Sequence, residues 1–402
     1  MSNVFVKEGR IVNAKGKEII LKGINFGGWL LMEGYILGGR NIPESEFKKN
    51  FSRIYGVEEL KRFEHAFRKN FITHQDFMKV KKWGFNCVRI PFHYKIFEEK
   101  PFKYKDEGIK ILDWIVKMAK KFKIFIILDM HAVCGSQNGD WHSDSKGEAL
   151  FWKSRDYQER FVRLWEFIAD YLKGKDFIAG FDLMNEPVIT KKTRRKLLLH
   201  IYKKTITKIL KIDKYRIFFV EPNLWAQDVE SIKDLKTPNT VLSVHFYLPL
   251  SFVFNFVKGL RYPGRIEGNF WNKKKLEEIF IKYVRFSQKM NVPLHVGEFG
   301  INFRSPQFYG ECKYLEDLLS IFSKYKVHYN YWTYKGVPLG VYPDGILQLL
   351  DNLPWIARHS SLWGWENFYS MWKNSKNKII SSLRSENFKE NIWILNVLRK
   401  FL

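Results

Sequence analysis

Short apolar runs alternate with longer amphipathic segments along most of the chain. The runs have the length and the Val, Ile and Phe content of buried parallel strands, whereas the segments between them repeat apolar residues with the period of a helix. The predicted strands are Leu21–Phe26, Cys87–Pro91, Ile124–Met130, Ile178–Met184, Arg216–Val220, Val241–His245, Leu294–Gly297 and Val327–Trp332. The clearest predicted helices are Asp106–Phe122, Asp156–Leu172, Arg194–Ile212 and Lys274–Met290.

Eight predicted strands, with predicted helices in most of the gaps between them, are the pattern of an α/β protein with a (β/α)8 TIM barrel. A doubly wound open sheet is the competing architecture, but no glycine-rich dinucleotide turn follows the first strand. Residues 4–22 predict an N-terminal β-hairpin that turns at Asn13–Lys17 and covers the barrel floor. The sequence contains no repeat, low-complexity tract or linker, so we predict a single domain over residues 1–402.

Three segments are longer than a plain barrel requires. They are residues 33–70 after the first strand, 246–273 after the sixth and 336–375 after the eighth, and the last two are rich in aromatic residues. Long loops on the C-terminal face of a barrel are where substrate selection is built. We therefore expect these segments to shape a cleft.

Composition and charge narrow the possible partners. The chain is 17% aromatic, and aromatic rings suit sugar-binding clefts because one face of a pyranose is apolar. The net charge of +26 suggests a polyanion partner, but the lysines are dispersed and no nucleic-acid-binding motif is present. We expect no nucleic-acid partner and keep a basic polyanion-binding protein as an alternative. Abundant Lys and scarce Gln also fit a thermophilic source.

The cellular location is predicted from the sequence signals that are not found. No signal peptide is visible at the start, and no apolar run is long enough to span a membrane. The three cysteines fit neither a disulfide framework nor a zinc site. We therefore expect a reducing, cytoplasmic location and no metal, although a secreted protein from which a signal had been removed would have the same sequence.

Ionisable residues fall at the ends of the predicted strands, which converge on one cavity in a barrel. The most informative are Glu186, just after the fourth strand, and Glu298, at the end of the seventh. Two carboxylates about 5–5.5 Å apart are the minimum needed to cleave a glycosidic bond with retention of configuration. The other strand-end candidates are Trp29, Glu33, Arg89, His93, Asp129, His131, Asn185, Glu221, His245, Tyr247 and Trp332.

Seven short motifs occur in order at these strand ends. They are Gly23–Trp29, Val88–Pro91, Asp129–His131 with Gly135–Gly139, Asn185–Pro187, His245–Tyr247, Gly297–Gly300 and Trp332. Together they resemble glycoside hydrolase family 5, in the cellulase superfamily (clan A) of retaining β-glycosidases. The resemblance implies a β-glycosidase without a cofactor, in which Glu186 is the general acid/base and Glu298 is the nucleophile.

The same resemblance implies supporting roles for other residues. Asn185 would hold the sugar 2-hydroxyl, Arg89 would keep Glu298 ionised, and Tyr247 would donate a hydrogen bond to Glu298. His131 and His245 would bind sugar hydroxyls or tune the acid, and Trp332 would form the floor of the subsite. Further substrate-binding candidates are Glu33 and Trp141, which would narrow the cleft, and Asn138.

Several residues have alternative interpretations. His93 is more readily explained as structural, and Glu221 is equally compatible with a structural role and a site role. Cys134 lies near His131, but its neighbours indicate a loop, so we do not expect thiol catalysis.

The substrate is less certain than the reaction. Segments 28–35, 71–77 and 135–139 resemble the exo-β-1,3-glucanase branch, whereas Cys134, residues 140–144 and the 336–375 segment depart from it. We predict hydrolysis of β-glucosidic bonds in oligosaccharides or β-glucans. A β-mannosidase or mannanase and a non-catalytic carbohydrate-binding barrel are the alternatives.

Overall fold

Eight parallel strands form a closed barrel. The computed structural model describes residues 4–191, 195–304, 309–358 and 364–402. The barrel strands, which we number first to eighth, are Lys22–Asn25, Cys87–His93, Phe125–Ala132, Ile178–Asp182, Ile217–Val220, Thr240–His245, Leu294–Phe299 and His328–Tyr331. Each pairs with the next along the chain, and the eighth pairs with the first. All eight predicted strands and the predicted barrel are therefore confirmed, with small shifts at the strand ends.

Helices surround the barrel. Their bounds are Glu44–Tyr55, Val57–Phe71, His74–Trp83, Asp106–Phe122, Arg155–Leu172, Arg195–Ile212, Asn223–Ala226, Leu250–Val253, Lys273–Met290, Glu311–Lys324, Tyr369–Ser382 and Ile392–Arg399. The four helices predicted from periodicity are confirmed, except that Arg194 lies outside the described residues. Asp106–Phe122 illustrates why the prediction works: acids occupy its first turn, and Leu112, Ile115 and Ala119 are buried on one face.

The N-terminal hairpin covers the barrel floor, and this segment contains one turn more than predicted. Val4–Lys7 pairs with Arg10–Asn13, so a first turn, which was not predicted, lies at Glu8–Gly9. Glu8 and Gly9 have φ values of 50° and 69°, and two positive φ angles are what a tight two-residue hairpin turn requires. Residues 13–17 form the predicted turn, which is closed by an antiparallel bridge between Val12 and Glu18. Val4 and Ile11 pack into the cluster of apolar side chains at the floor.

The 336–375 segment contributes mainly to the core. Trp365 packs on Phe47 with ring centroids 4.6 Å apart, and Trp372 packs on Phe51 at 5.6 Å. These contacts join the segment to the helices of residues 33–70. Tyr342 and Pro343 of the same segment line the cavity over the barrel, so the expectation that the segment shapes a cleft is confirmed only for this part of it. The tryptophans fill the core, because aromatic residues fill a core as readily as they line a cavity.

Smaller elements complete the fold. Short strands form at Glu98–Lys100, Lys103–Tyr104, Gly264–Ile266, Asn269–Trp271, Lys335–Gly336, Leu347–Gln348 and Lys389–Glu390. All three cysteines are free thiols. Within the described ranges, no helix is both long enough and apolar enough to cross a membrane.

Candidate active site

A buried arginine lies at the centre of the C-terminal end of the barrel. Arg89, on the second strand, has no exposed surface. Its Nη1 donates to Oε1 of Glu298 at 2.9 Å, and its Nε donates to Oδ2 of Asp182 at 2.9 Å. Its Nη2 donates to Oε1 of Glu221 at 3.0 Å and lies 3.1 Å from Oδ2 of Asp129. Burial alone would lower the pKa of Arg89, but these four acids raise it well above its usual value.

Glu298 and Glu186 approach each other from the seventh and fourth strands. Glu298 accepts hydrogen bonds from Arg89 and, at Oε2, from Oη of Tyr247 at 3.0 Å. One carboxylate oxygen of Glu186, one of Glu298 and one ring nitrogen of His245 all lie within 4.8 Å of one another. This spacing would also suit a metal ion, but the hydrogen bonds of the three side chains already account for the arrangement.

His245 connects the two sides of the acid cluster. Its Nδ1 lies 2.7 Å from Oε1 of Glu186, and its Nε2 lies 3.1 Å from Oε1 of Glu221. Burial would lower the pKa of His245, but Glu221 and Glu298 raise it well above its usual value. Burial would raise the pKa of Glu186, but the hydrogen bond and charge of His245 lower it. Both directions favour the proton of this pair on His245 and not on Glu186.

His131, Asn185 and Trp332 form a second group of contacts in the site. Nδ1 of His131 lies 2.7 Å from Oδ2 of Asp129, and its Nε2 lies 3.3 Å from Nδ2 of Asn185. The His131 ring stacks on Trp332, with centroids 5.6 Å apart and planes inclined by 12°. Burial lowers the pKa of His131 to about 3, so this ring is neutral.

Two amides fix the backbone of the site. Nε2 of Gln137 donates to the carbonyl oxygens of His131 and Asn185, both at 2.7 Å. Nδ2 of Asn138 donates to the carbonyl oxygen of Glu186 at 2.9 Å. Asn138 is completely buried, so it supports the Glu186 backbone and does not line the cavity.

A cavity of about 470 Å³ opens over Glu186 and Glu298. Its aromatic lining residues are Tyr35, Trp141, Trp225, Tyr247, Phe254, Trp332 and Tyr342. Nε1 of Trp332 donates to Oη of Tyr35, and the Tyr35 ring packs against Trp141 with centroids 5.8 Å apart. These side chains form a largely aromatic wall on one side of the acid pair.

Glu33 is a buried acid in this wall. Its side chain lines the cavity, and its Oε1 has no hydrogen-bond partner among the described residues. Burial raises the pKa of Glu33 well above its usual value, and Glu298 and Glu186 add to that rise against an opposing effect of His142. A neutral carboxyl group that faces the cavity can both donate to and accept from a sugar hydroxyl.

The loop at residues 140–144 places a second histidine beside Glu186. Nε2 of His142 lies 3.5 Å from Oε2 of Glu186 and 3.5 Å from Oδ2 of Asp140. Burial would lower the pKa of His142, but Asp140 and Glu186 raise it to about 9. Nε1 of Trp225 donates to Oδ2 of Asp140 at 2.7 Å and so joins this loop to the wall of the cavity.

His93 and Cys134 are among the sequence candidates that lie outside the cavity. Nε2 of His93 lies 2.9 Å from Oδ2 of Asp144, which favours the structural interpretation. Burial raises the pKa of Cys134 to about 11, so its thiol is not activated for nucleophilic attack.

Sequence reasoning missed several residues of the site. Asp182 could have been noticed as an acid within an otherwise apolar strand. Trp225 and Tyr342 carry no such signal, because the short helix Asn223–Ala226 and the loop around Tyr342 have no recognisable pattern.

Comparisons with known proteins agree with this fold. Residues 46–337 match the model of the cellulase family, glycosyl hydrolase family 5. A beta-xylosidase from Phanerodontia chrysosporium is 30% identical over 373 residues, covering 89% of this chain and 75% of that protein. Endoglucanase C from Acetivibrio thermocellus is 27% identical over 333 residues, covering 74% and 94%. The chain belongs to glycosyl hydrolase family 5 and is a β-glycoside hydrolase.

Further matches support the barrel fold but do not identify a branch of the family. A crystal structure of a glycoside hydrolase superimposes with a TM-score of 0.64 at 20% identity and covers 95% of this chain and 99% of that one. Endoglucanase Cel5A from Thermotoga maritima gives a TM-score of 0.58 at 21% identity, covering 81% and 91%. A probable glucan 1,3-beta-glucosidase A from Aspergillus clavatus is 29% identical over only 42% of this chain and 42% of its own length. The two structures show the fold alone. The relatives found by sequence have different activity names, so the exo-β-1,3-glucanase branch in particular is not confirmed.

Proposed function

We propose that the protein is a retaining β-glycosidase that hydrolyses β-glucosidic bonds of oligosaccharides or β-glucans by double displacement. The observation that carries this proposal is the approach of Glu186 and Glu298, whose nearest carboxylate oxygens lie within 4.8 Å. Retaining enzymes hold their two carboxyl groups about 5–5.5 Å apart, whereas inverting enzymes need about 6.5–9.5 Å to admit a water molecule.

In the first step, Glu298 attacks the anomeric carbon while Glu186 protonates the departing oxygen. Arg89 and Tyr247 hold one carboxylate oxygen of Glu298 each, which orients the nucleophile without protonating it. The proton for the leaving group comes from the Glu186–His245 pair, since His245 returns its Nδ1 proton to Glu186 as the reaction begins. In the second step, Glu186 accepts a proton from water, which then releases the sugar from Glu298.

The shape of the cavity favours short substrates. Glu33 and the packed pair Tyr35–Trp141 close one side, which supports action at the end of a chain. We therefore propose exo action on oligosaccharides, with the linkage of the exo-β-1,3-glucanase branch as the first choice. A β-mannoside is the second candidate. Mannose is the C2 epimer of glucose and can use the same pair of carboxylates.

A panel of nitrophenyl β-glucoside, β-mannoside and β-xyloside with laminari- and cello-oligosaccharides tests this proposal. We expect β-glucoside and short laminari-oligosaccharides to be cleaved fastest, with the β-anomer as the first product in a proton NMR time course. Retention is expected because the acid pair is too close to admit an attacking water at the start.

Three outcomes would contradict parts of the proposal. An α-anomer as first product would exclude double displacement, and preference for the β-mannoside would favour the second candidate. Absence of cleavage across the panel would remove the support for β-glucosidase activity. A steep fall of binding with salt, without turnover, would instead favour the polyanion-binding alternative.

Glu33→Ala tests whether the buried acid binds substrate. We expect kcat/KM for nitrophenyl β-glucoside to fall roughly 10- to 100-fold, because a sugar hydroxyl loses its partner in a dry site. The melting temperature should stay the same or rise, since the substitution removes a buried carboxyl oxygen that has no partner in the described chain. Glu33→Gln is the matched control and should keep most of the activity. A lower melting temperature with unchanged kcat/KM would show a structural role instead.

A further inference from the structure

The end of the fifth strand carries a buried acid to which double displacement assigns no part. Glu221 follows Ile217–Val220 directly and has no exposed surface. Besides its contact with Arg89, its Oε2 accepts a hydrogen bond from the backbone N–H of Glu186 at 2.6 Å. Its Oε1 lies 3.1 Å from Nε2 of His245, whose other nitrogen contacts the Glu186 side chain. Glu221 therefore reaches both the main chain and, through His245, the side chain of Glu186.

The backbone of Glu186 needs such support. Its φ of 46° lies in the left-handed region, which is costly for a residue with a side chain. The charged acceptor Glu221 holds the N–H of Glu186, while Asn138 holds the carbonyl oxygen on the other side. The two contacts fix the direction in which the Glu186 carboxyl group points into the cavity.

The contact with His245 decides which nitrogen exchanges a proton with Glu186. The negative charge of Glu221, 3.1 Å from Nε2, favours a proton on that nitrogen, although the contact is not aligned as a hydrogen bond. When His245 gives up its second proton, the proton leaves from Nδ1, which faces Glu186. Without the anion, neutral His245 could keep its proton on Nδ1, and the proton would not reach Glu186.

We propose that Glu221 is a positioning residue for the acid/base reaction, acting on Glu186 through its backbone N–H and through His245. The proposal rests on the acid/base role proposed for Glu186. The charged and titratable groups that surround Glu221 are Arg89, Asp129, Asp182, Glu186, Tyr202, His245 and Glu298.

Asp182 provides a matched control. It is also completely buried and also contacts Arg89, at 2.9 Å, but in the described part of the chain it makes no hydrogen bond to Glu186 or His245. Glu221→Gln and Asp182→Asn therefore each remove one acid from the same cation with little change of shape. Only the first removes the anion beside His245.

The experiment compares kcat/KM for two aryl β-glucosides. Phenolate is a poor leaving group unless an acid protonates it, whereas 2,4-dinitrophenolate leaves without help from an acid. For Glu221→Gln we expect a fall of about 10²-fold or more with the phenyl glucoside and less than about 10-fold with the dinitrophenyl glucoside. Azide should raise kcat on the dinitrophenyl substrate, because the second step then no longer needs a base. Asp182→Asn should change both substrates by the same factor.

Glu186→Ala is run beside these variants to separate the two proposals. It should show the same leaving-group difference and azide rescue, more strongly. If Glu186→Ala behaves so but Glu221→Gln lowers both substrates equally, Glu221 is structural and the positioning proposal is wrong. If Glu186→Ala itself lacks the difference, the proposed acid/base role is wrong.

A second variant tests the same proposal in case Glu221→Gln folds poorly. Glu221→Asp keeps a negative charge for Arg89 but withdraws the carboxylate from the Glu186 N–H and from His245. We expect it to fold and to show an intermediate leaving-group difference. Equal losses on the two substrates would overturn the proposal with this variant as well.

Discussion

Alanine in place of Glu298 is expected to lower kcat/KM for nitrophenyl β-glucoside by roughly 10⁵-fold, as loss of a covalent nucleophile does in other enzymes. The effect should be this large because none of the other acids around Arg89 can take its place. Among the acids around Arg89, Asp129, Asp182 and Glu221 have no exposed surface, and none of the three lines the cavity. Steady-state kinetics with the purified variant measure the loss.

The stereochemistry of rescue identifies the missing group. Azide that enters the space left by Glu298 should attack from the face of the nucleophile and give the α-glucosyl azide. In Glu186→Ala the covalent intermediate still forms, so azide should give the β-glucosyl azide. If Glu298→Ala keeps its turnover, or yields the β-azide, Glu298 is not the nucleophile.

The barrel could be predicted because its strands are buried on both faces and so appear as continuous apolar runs. The same regularity explains why the acid pair could be predicted. Glu186 and Glu298 follow or end such runs, and the C-terminal ends of parallel barrel strands converge. The structure brings together Arg89, His131, Asn185, His245, Tyr247 and Trp332, all of which lie in or just after barrel strands. The chemical roles of these residues stay predictions. The assignment of residues 1–402 to a single domain also stays a prediction.

The remaining features depend on distances that no local pattern encodes. Glu221 could be recognised as an acid at a strand end, but its contact with the Glu186 N–H exists only because the fourth and fifth strands are neighbours and Glu186 has a positive φ. For the tryptophans of the 336–375 segment, the expectation that they belong to a cleft was wrong. Their apolar surface suits a cleft or a core equally well, and Trp365 and Trp372 pack into the core. Trp363 lies outside the described residues.

Arg89→Met is expected to cost about 3–5 kcal/mol in the free energy of unfolding, because it leaves several buried acids without their common cation. Activity of the folded fraction should fall at least about 10²-fold, since Glu298 loses one of its two hydrogen-bond donors. Urea denaturation and kinetics measure the two effects. Arg216→Met is the matched control: Arg216 is a buried arginine near the barrel floor that pairs with one acid, Asp213, at 2.7 Å. It should lower stability without changing kcat/KM of the folded enzyme.

The pH dependence of this loss tests its cause. In the parent, burial would raise the pKa of Glu221, but His245 and Arg89 lower it, so the ionised form contributes stability above its unfolded pKa, and that stability is lost as pH falls. In Arg89→Met the acids lose the cation, and they can stay buried more readily when protonated. The difference in unfolding free energy between parent and variant should therefore widen as pH rises from about 5 to about 8. A constant difference over this range would mean that the lost packing of the Arg89 side chain, and not its charge, accounts for the destabilisation.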